Sequence, residues 1–311
     1  MWDDLKIKIK TLNETIWENN ATWPHVEQWL NNFKADAHEM PSERLHALFL
    51  LSQFMYFGSR QLRELIRSLY RDIFAYPVIE GIRRANADTT DRRLIGMRFV
   101  REVRATRFLG IGNPSESGTH LLYLFRQENS LPKNLFVNTH EIFTRSSAGD
   151  RTLRDSRIVR YVFLDDLCGS GTQAQQYSKD VLRDLKALDS TTRACYYVLF
   201  ATQEALATIR TTTLFDDVRC VVELDPSFKC FGAESRYFSA EMSEINKAFA
   251  EAMCLSYGLQ LVPSHPLGFR DSQLMIGFHH NTPDNTLPLF WCDKPGARWR
   301  PIFKRYPKWE W

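Results

Sequence analysis

The residues best suited to chemistry lie together in segment 162–172, which reads VFLDDLCGSGT. An apolar run typical of a buried strand ends in Asp165 and Asp166. Carboxylates at a strand end can accept hydrogen bonds from vicinal sugar hydroxyls or hold a hydrated Mg²⁺. The residues that follow are small or polar, namely Gly169, Ser170, Gly171, Thr172 and Gln173. Glycine lets backbone N–H groups approach a phosphate, and a helix start adds its positive end. A diol site beside a phosphate site describes ribose 5-phosphate.

The same segment also fits a simpler structure, and that alternative stays open from these residues alone. A strand–turn–helix junction can carry a solvated acid pair and a serine that caps the helix. The order of strand, acids, loop and helix favours the ribose phosphate site, because open α/β sheets bind ligands at the carboxyl ends of their strands. A P-loop or a Rossmann nucleotide site is excluded by pattern, since the chain has neither GxxxxGK[ST] nor GxGxxG after a strand.

Two further loops could bind anions. The first follows a predicted strand, and its small or polar residues are Gly112, Asn113, Ser117 and Gly118. This composition suits an anion but is common in loops. The second loop, residues 138–157, is long and polar, and a structureless segment of this length is usually functional or mobile. Its arginines are Arg145, Arg151, Arg154 and Arg157. They could neutralise a departing pyrophosphate, although a solvated basic loop explains them as well.

The elements that must position these residues follow from hydrophobic periodicity. Residues 1–86 carry apolar side chains at helical spacing and predict helices. Beyond Asp91, helical stretches are predicted near 119–128, 173–188, 202–212 and 239–256. The predicted strands are Thr106–Gly110, Asn134–Val137, Val159–Leu164, Ala194–Phe200, Val218–Leu224 and Leu274–His279. This alternation predicts an α/β fold with a mostly parallel sheet flanked by helices on both faces.

Segment 162–173 resembles the phosphoribosyl pyrophosphate signature of type I phosphoribosyltransferases, an apolar triplet followed by two acids, a spacer and Ser/Thr-Gly. The resemblance implies that Asp165 and Asp166 are catalytic and face the ribose hydroxyls, while the loop after them holds the 5-phosphate. It also implies that the loop at 112–118 binds pyrophosphate and that residues 138–157 form a lid. Mg²⁺ would then be held through the substrate and the acid pair, not by a protein cage. Purine-salvage members carry an acid where this chain has Gly169, which speaks against purine-base salvage.

The form Asp-Asp-Leu-Cys-Gly-Ser-Gly is more similar to the PRTase-CE family, which comprises phosphoribosyltransferase-like proteins of bacterial conflict systems. Segment 278–291 also resembles what that family shows after its last strand. The resemblance implies that the N-terminal helices, at 1–90, are the family's helical extension and that the α/β domain spans 91–292. The basic and aromatic residues at the end of the chain define a tail at 293–311. It further implies a toxin-like antiphage effector, retron-associated in some cases. Operon partners would control it, such as a reverse transcriptase with its RNA/DNA product and a DNA-binding protein.

Two classes of function stay open. One is an enzyme that transfers or cleaves at ribose C1, and the other is a nucleotide sensor or assembly subunit with the same fold and no turnover. His280 or Asn281 could reach a base or a ribose, but the turn formers at 281–285 favour a hydrogen-bonded turn.

Composition limits the remaining classes. The chain has 311 residues, of which 44% are hydrophobic and 25% are charged, so disorder is excluded. A net charge of +3 does not indicate a nucleic-acid protein overall, yet arginines crowd residues 83–107 and the tail is basic. These surfaces could contact nucleic acid or a partner, or could be solvated helix faces. Six cysteines without a CxxC pair, and no signal peptide or bilayer-spanning run, predict a cytoplasmic protein without a metal cage or membrane contact.

Overall fold

The computed structural model describes residues 1–34, 40–112, 117–147, 149–238, 244–293 and 299–305, without the side chains of 40, 41 and 117–119. Its α-helices are α1 (Trp2–Thr15), α2 (Trp23–Leu30), α3 (Met40–Ser52), α4 (Ser59–Ser68), α5 (Tyr76–Arg84), α6 (Arg92–Arg104), α7 (Ser117–Glu128), α8 (Thr172–Tyr177), α9 (Arg183–Leu188), α10 (Gln203–Thr212), α11 (Lys247–Leu261) and α12 (Pro288–Trp291). Its β-strands are β1 (Met55–Phe57), β2 (Thr106–Gly110), β3 (Phe143–Arg145), β4 (Arg151–Leu153), β5 (Arg160–Cys168), β6 (Arg193–Thr202), β7 (Asp217–Leu224) and β8 (Ile276–Phe278). Wider π-helical turns at Leu69–Ala75 and Ser178–Leu182 join α4 to α5 and α8 to α9.

Residue contacts divide the chain into two compact units. One comprises residues 63–224, and the other comprises residues 1–62 together with 225–311. The acid pair and the glycine loop that follows it belong to the 63–224 unit. The division into domains at residues 90 and 292 stays a prediction.

A four-stranded parallel sheet forms the centre of the 63–224 unit. Its strand order is β2-β5-β6-β7, and each neighbouring pair runs parallel. Consecutive parallel strands need crossovers, which α8, α9 and α10 supply between β5, β6 and β7. Because parallel strands end at a common edge, this topology collects the loops after β2, β5 and β6 at the carboxyl edge of the sheet.

Helices cover both faces of this sheet, as its continuous apolar strands require. On one face, Phe163 of β5 packs edge-on against Tyr177 at 5.3 Å and Phe215 at 5.5 Å between ring centroids. On the other face, Phe108 of β2, whose register partner is Val162, contacts Phe74 and Phe125, each at 5.2 Å. The α/β fold class with a mostly parallel sheet flanked by helices is therefore confirmed.

The second unit packs α1, α2, α3, α11 and α12 around an aromatic core. Trp29 stacks on Phe290 at 5.6 Å, and its indole nitrogen donates to the Leu289 carbonyl at 2.9 Å. The described part of the basic aromatic tail joins this core, since Phe303 stacks on Phe54 at 4.6 Å and contacts Trp17 at 5.4 Å. No helix within the described ranges is both long enough and apolar enough to cross a membrane.

One strand prediction is wrong, and another is right only in part. Asn134–Val137 is not a strand: the chain makes a 3₁₀ turn at Lys133–Leu135, and only Phe136 bridges to Phe108. The chain then turns at once into a capped 3₁₀ segment at Thr139–Glu141, which leaves no room for a longer ladder. The predicted strand at Leu274–His279 shortens to β8, and it pairs with β1 instead of joining the four-stranded sheet. β1 itself lies where the sequence predicted helix, because the helix α3 ends at Ser52.

Candidate ribose phosphate site

Strand β5 carries the acid pair to the carboxyl edge of the sheet. The strand continues four residues beyond its predicted end at Leu164, so Asp165 and Asp166 lie within it. Asp165 is in register with Val198 of β6, and both carboxylates are buried, with exposed fractions of 7% and 8%. The acids are therefore not the solvated pair of a plain strand–turn–helix junction.

Asp165 is held by hydrogen bonds from two directions. The Tyr196 hydroxyl donates to its Oδ2 at 2.9 Å, and the backbone N–H of Asp166 donates to its Oδ1 at 2.9 Å. Burial raises the pKa of Asp165 well above its ordinary value, the adjacent Asp166 charge raises it further, and the two hydrogen bonds offset part of the rise. The Asp165 carboxyl therefore favours its neutral form, in which it can donate as well as accept.

The other acid lies next to the loop. The Oδ1 atom of Asp166 accepts from the backbone N–H of Leu167 at 2.8 Å, which fixes this carboxyl against the strand end. Cys168, the last residue of the strand, is buried, and burial raises the pKa of its thiol to about 12. The thiol is consequently a packing group and not a nucleophile at neutral pH.

The loop after β5 turns into a helix through a left-handed glycine. Gly171 has φ +74°, and a Cβ there would lie 3.2 Å from Cγ1 of Ile209. Gly171 is also the N-cap of α8, and within the described part of the chain no side chain caps this helix. A serine cap was the alternative suggested by the sequence. The Ser170 Oγ lies 3.0 Å from the Thr172 Oγ1, and it also accepts a long hydrogen bond of 3.4 Å from the Thr172 N–H. A phosphate oxygen at this helix start would replace that long bond and would meet backbone N–H groups beside two hydroxyls.

A second loop starts at the same edge. Strand β2 lies in register beside β5, with Gly110 opposite Leu164, and the Ile111 N–H donates to the Leu164 carbonyl at 3.2 Å. Gly112 follows in the left-handed region with φ +99°. Asn113 lies outside the described residues, and Ser117 and Gly118 begin α7, without described side chains. The assignment of this loop to pyrophosphate stays a prediction.

The segment predicted to be a structureless lid contains a β-hairpin. Strands β3 and β4 pair antiparallel, with Arg145 opposite Arg151. Arg151 stacks on Phe143, with its guanidinium carbon 3.8 Å from the ring centroid, and forms an ion pair with Asp184 of α9. Arg145 and Arg154 are exposed. The lid role of the three arginines stays a prediction, and Arg151 would have to leave Asp184 to meet a ligand.

Two residues that sequence reasoning missed support the site. Tyr196 holds Asp165, and the Thr202 hydroxyl donates to the Gly169 carbonyl at 2.8 Å while also accepting from the Ala205 N–H at the start of α10. A hydroxyl-bearing residue at a strand–helix junction is a capping signal that the sequence does contain. The hydrogen bond from Tyr196 to Asp165 joins two neighbouring strands, so no local sequence pattern predicts it.

His280 and Asn281 lie in the other unit and form a turn. The Phe278 N–H donates to the Asn281 carbonyl at 2.9 Å, and the Asn281 N–H donates back to Phe278 at 3.2 Å. The His280 ring stacks on Phe278 with centroids 5.6 Å apart. This is the hydrogen-bonded turn that the turn-forming residues favoured.

A search of curated proteins finds no match to the chain. Among solved structures, the chain is similar to the xanthine-guanine-hypoxanthine phosphoribosyltransferase of Helicobacter pylori, with 10% identity and a TM-score of 0.30, covering 55% of this chain and 89% of that one. It is also similar to the AQ2163 protein from Aquifex aeolicus, with 12% identity and a TM-score of 0.29, covering 66% of this chain and 86% of that one. Both TM-scores are too low to support an argument. The PRTase-CE family model, by contrast, matches residues 26–305, which include the acid pair, the glycine loop and the hairpin, and the chain therefore belongs to the PRTase-CE family.

Proposed function

We propose that the carboxyl edge of the sheet binds phosphoribosyl pyrophosphate, or a nucleotide carrying the same ribose 5-phosphate, and acts at ribose C1. One observation carries the proposal above others. A buried acid pair and a helix start with glycine at its N-cap lie five to seven residues apart at the end of one central strand, in a chain of the PRTase-CE family.

The side chains of the site suggest a division of roles. Asp166 and the neutral Asp165 would meet the ribose hydroxyls, one accepting and the other able to donate. The 5-phosphate would lie on the N–H groups of Gly171 and Thr172, beside the Ser170 hydroxyl. Fixed dipoles at this position would orient C1 and stabilise charge as the bond to the leaving group breaks.

Mg²⁺ would accompany the substrate. Carboxyl oxygens are the hard donors that this cation prefers, and the pair supplies them. The raised pKa of Asp165 opposes a cation held by the pair alone, because its carboxyl favours the protonated form. The donor set therefore fits a cation that arrives on a diphosphate, which brings further oxygens and negative charge. The chemistry it would supply is neutralisation of charge on departing pyrophosphate.

For biology, we propose a bacterial antiphage effector of retron type that partner components keep inactive. Its motivation is the resemblance to conflict-system proteins, and the partners would be a reverse transcriptase with its RNA/DNA product and a DNA-binding protein. The test is expression with and without the neighbouring genes, followed by phage challenge. We expect growth arrest when the chain is expressed alone and phage protection from the complete operon. Harmless expression together with an unprotected operon would refute this role.

A sensor without turnover is the second candidate, and one observation favours it. Arg151 is engaged by Asp184 and Phe143, so the hairpin holds one of its cations away from any ligand. Such a chain could bind the ribosyl phosphate and report its presence to partners without cleaving it.

Calorimetry and turnover assays separate these outcomes. Phosphoribosyl pyrophosphate with Mg²⁺ is titrated into wild type, Asp166→Asn and the matched control Asp180→Asn, an exposed acid paired with Gln176. We expect the Asp166 variant to bind at least about tenfold more weakly, since hydrogen bonds to charged groups contribute about 1.5–3 kcal/mol, and the control to match wild type. Pyrophosphate or base release from a nucleotide panel then identifies an enzyme. Binding without turnover, with partners present, identifies a sensor, and absence of binding by wild type refutes the site.

A further inference from the structure

A second cavity lies at the opposite edge of the same sheet. It belongs wholly to the 63–224 unit, has a volume of about 680 Å³, and is lined by the first residues of three strands together with α5 and α6. Those first residues are Arg160 of β5, Arg193 of β6 and Asp217 of β7. Asp165 lies five residues along β5 from Arg160, which is about 17 Å at the rise of a strand. The cavity is therefore separate from the ribose phosphate site.

The cavity carries an excess of positive charge. Its basic lining residues are Arg98, Arg101, Arg160, Arg193 and Arg219. Its two carboxylates are Glu102 and Asp217, so three positive charges are left unbalanced. Glu102 pairs with Arg160 at 3.3 Å, and Asp217 pairs with Arg219 at 2.8 Å.

The two acids are already satisfied inside the protein. Asp217 accepts from the Tyr197 hydroxyl at 2.9 Å in addition to Arg219. In the parts of the chain that the structure describes, no ion pair engages Arg98, Arg101 or Arg193, the remaining three arginines. Their guanidinium groups are exposed and free to bind an anion bidentately.

Strand pairing concentrates this charge. Arg160 and Arg193 are register partners on adjacent parallel strands, whose backbones lie about 4.8 Å apart. Arg160 is largely buried, with 9% of its surface exposed, and lies 5.9 Å from the Phe74 ring centroid. Because Glu102 already pairs with Arg160, the exposed Arg193 beside it is the cation of this strand pair that can meet an anion.

The remaining wall is apolar. Phe74, Ile82, Leu94 and Met97 line the cavity beside the arginines. The helix α6, which supplies Leu94 and Met97, buries none of its side chains, and Met97 is 59% exposed. Cations and apolar side chains lining one cavity suit a ligand with a phosphate group and a planar body, and the volume is within the usual range for such ligands.

We propose that this cavity binds a nucleoside phosphate, at a site distinct from the ribosyl phosphate site. The phosphate contacts Arg98, Arg101 and Arg193, and the base packs against Leu94 and Met97. Arg160 and Arg219 stay paired with their carboxylates, so the attraction for the phosphate comes from the three arginines without an ion pair among the described residues.

The test uses the full chain and a panel of free nucleotides. ATP, GTP, CTP, UTP and their monophosphates are titrated by calorimetry into wild type, Arg193→Ala, Arg98→Ala and the control Arg183→Ala, an exposed arginine of α9 outside the cavity. We expect at least one nucleotide to bind wild type and the control equally, and each cavity variant to bind at least about tenfold more weakly. Arg193→Lys keeps the charge but loses the bidentate fork, so we expect its nucleotide affinity to lie between the affinities of wild type and Arg193→Ala.

Two further readouts keep the result independent of the first site. Asp166→Asn is expected to retain nucleotide binding in the cavity, while Arg193→Ala is expected to retain binding of phosphoribosyl pyrophosphate with Mg²⁺. Arg193→Ala is also expected to melt at about the wild-type temperature, because the side chain it removes is exposed. Absence of binding by any nucleotide up to millimolar concentration, or equal binding by wild type and the cavity variants, would overturn the proposal.

Discussion

Replacement of Asp165 by Asn should stabilise the protein more as the pH rises. Burial and the neighbouring Asp166 raise the pKa of Asp165 well above 3.8, so the native state holds a proton that the unfolded chain has released. Between the unfolded and native pKa values the native state binds more protons, and the free energy of unfolding therefore falls as pH increases. Asparagine is an uncharged isostere of the protonated carboxyl, and its amide can donate to the Tyr196 hydroxyl where Asp165 now accepts.

The size of this effect is set by one proton. The difference between Asp165→Asn and wild type should grow by up to about 1.4 kcal/mol per pH unit, starting near pH 4 and levelling off once the pH exceeds the native pKa. For a unit of this size, that corresponds to about 3–5 °C in Tm per pH unit. Below pH 4 the Asp165 carboxyl is protonated in both the native and the unfolded state, so wild type and Asp165→Asn should differ little in the pH dependence of their stability.

The assay is thermal unfolding of wild type, Asp165→Asn and Asp180→Asn at half-unit steps between pH 4 and 8. Asp180→Asn, an exposed acid, should give a curve parallel to that of wild type. Parallel curves for wild type and Asp165→Asn would show that Asp165 is ionised in the native state. A wild type that gains stability over Asp165→Asn with rising pH would refute the reasoning outright.

Three other expectations are simpler to check. Gly171→Ala places a Cβ at φ +74° beside Ile209, so it should lower the free energy of unfolding by about 1–3 kcal/mol and abolish binding of the ribosyl phosphate. The control Gly149→Ala, at φ +88°, has open space around the new Cβ and should lose only the free energy of its backbone strain. Chemical denaturation measures the stabilities, and calorimetry measures the binding. The Cys168 thiol, whose pKa burial raises to about 12, should resist alkylation at pH 8 in the native protein and react only on unfolding, and rapid native labelling followed by mass spectrometry would contradict this. Asp184→Ala releases Arg151 of the hairpin, and because an exposed ion pair contributes about 1 kcal/mol at most, amide exchange in β3 and β4 should rise by up to about fivefold; unchanged exchange would show that the pair does not restrain the hairpin.

The sequence predicted the sheet best where apolar runs are local. Thr106–Gly110 is a strand with the predicted bounds, and its apolar residues Phe108 and Leu109 are buried in the sheet. The end of β5 was less predictable. Charged residues normally end a buried strand, yet Asp165 stays inside because Tyr196, 31 residues away, donates to it. No local pattern reports a partner at that separation.

Two other differences between the predicted and the observed structure also arise from long-range contacts. β1 follows an apolar helix directly, and it becomes a strand only because residues 276–278 lie beside it. The hairpin of β3 and β4 is short and polar, and it depends on Arg151, which packs on Phe143 and pairs with Asp184. In each case long-range contacts decide between structures that local propensity leaves nearly equal.

The candidate site, like the fold, could be predicted only in part. The acids and the glycine loop were predicted from residue order alone, because strand, acids, small residues and helix are consecutive in the chain. Burial of the acids and the resulting preference of Asp165 for its neutral form could not be predicted, since both depend on β6 pairing beside the end of β5. The basic stretch at 83–107 was ambiguous in sequence, and the structure brings Arg98 and Arg101 of this stretch to the cavity at the opposite edge.

The central claim is that the carboxyl edge of this sheet binds a ribosyl phosphate. A crystal structure of the chain with phosphoribosyl pyrophosphate and Mg²⁺ tests it most directly. We expect the 5-phosphate within hydrogen-bond distance of the Gly171 and Thr172 backbone N–H groups, and the ribose hydroxyls beside Asp165 and Asp166. A ligand found in the arginine-lined cavity with residues 169–172 empty, or no ligand at either edge, would contradict the account.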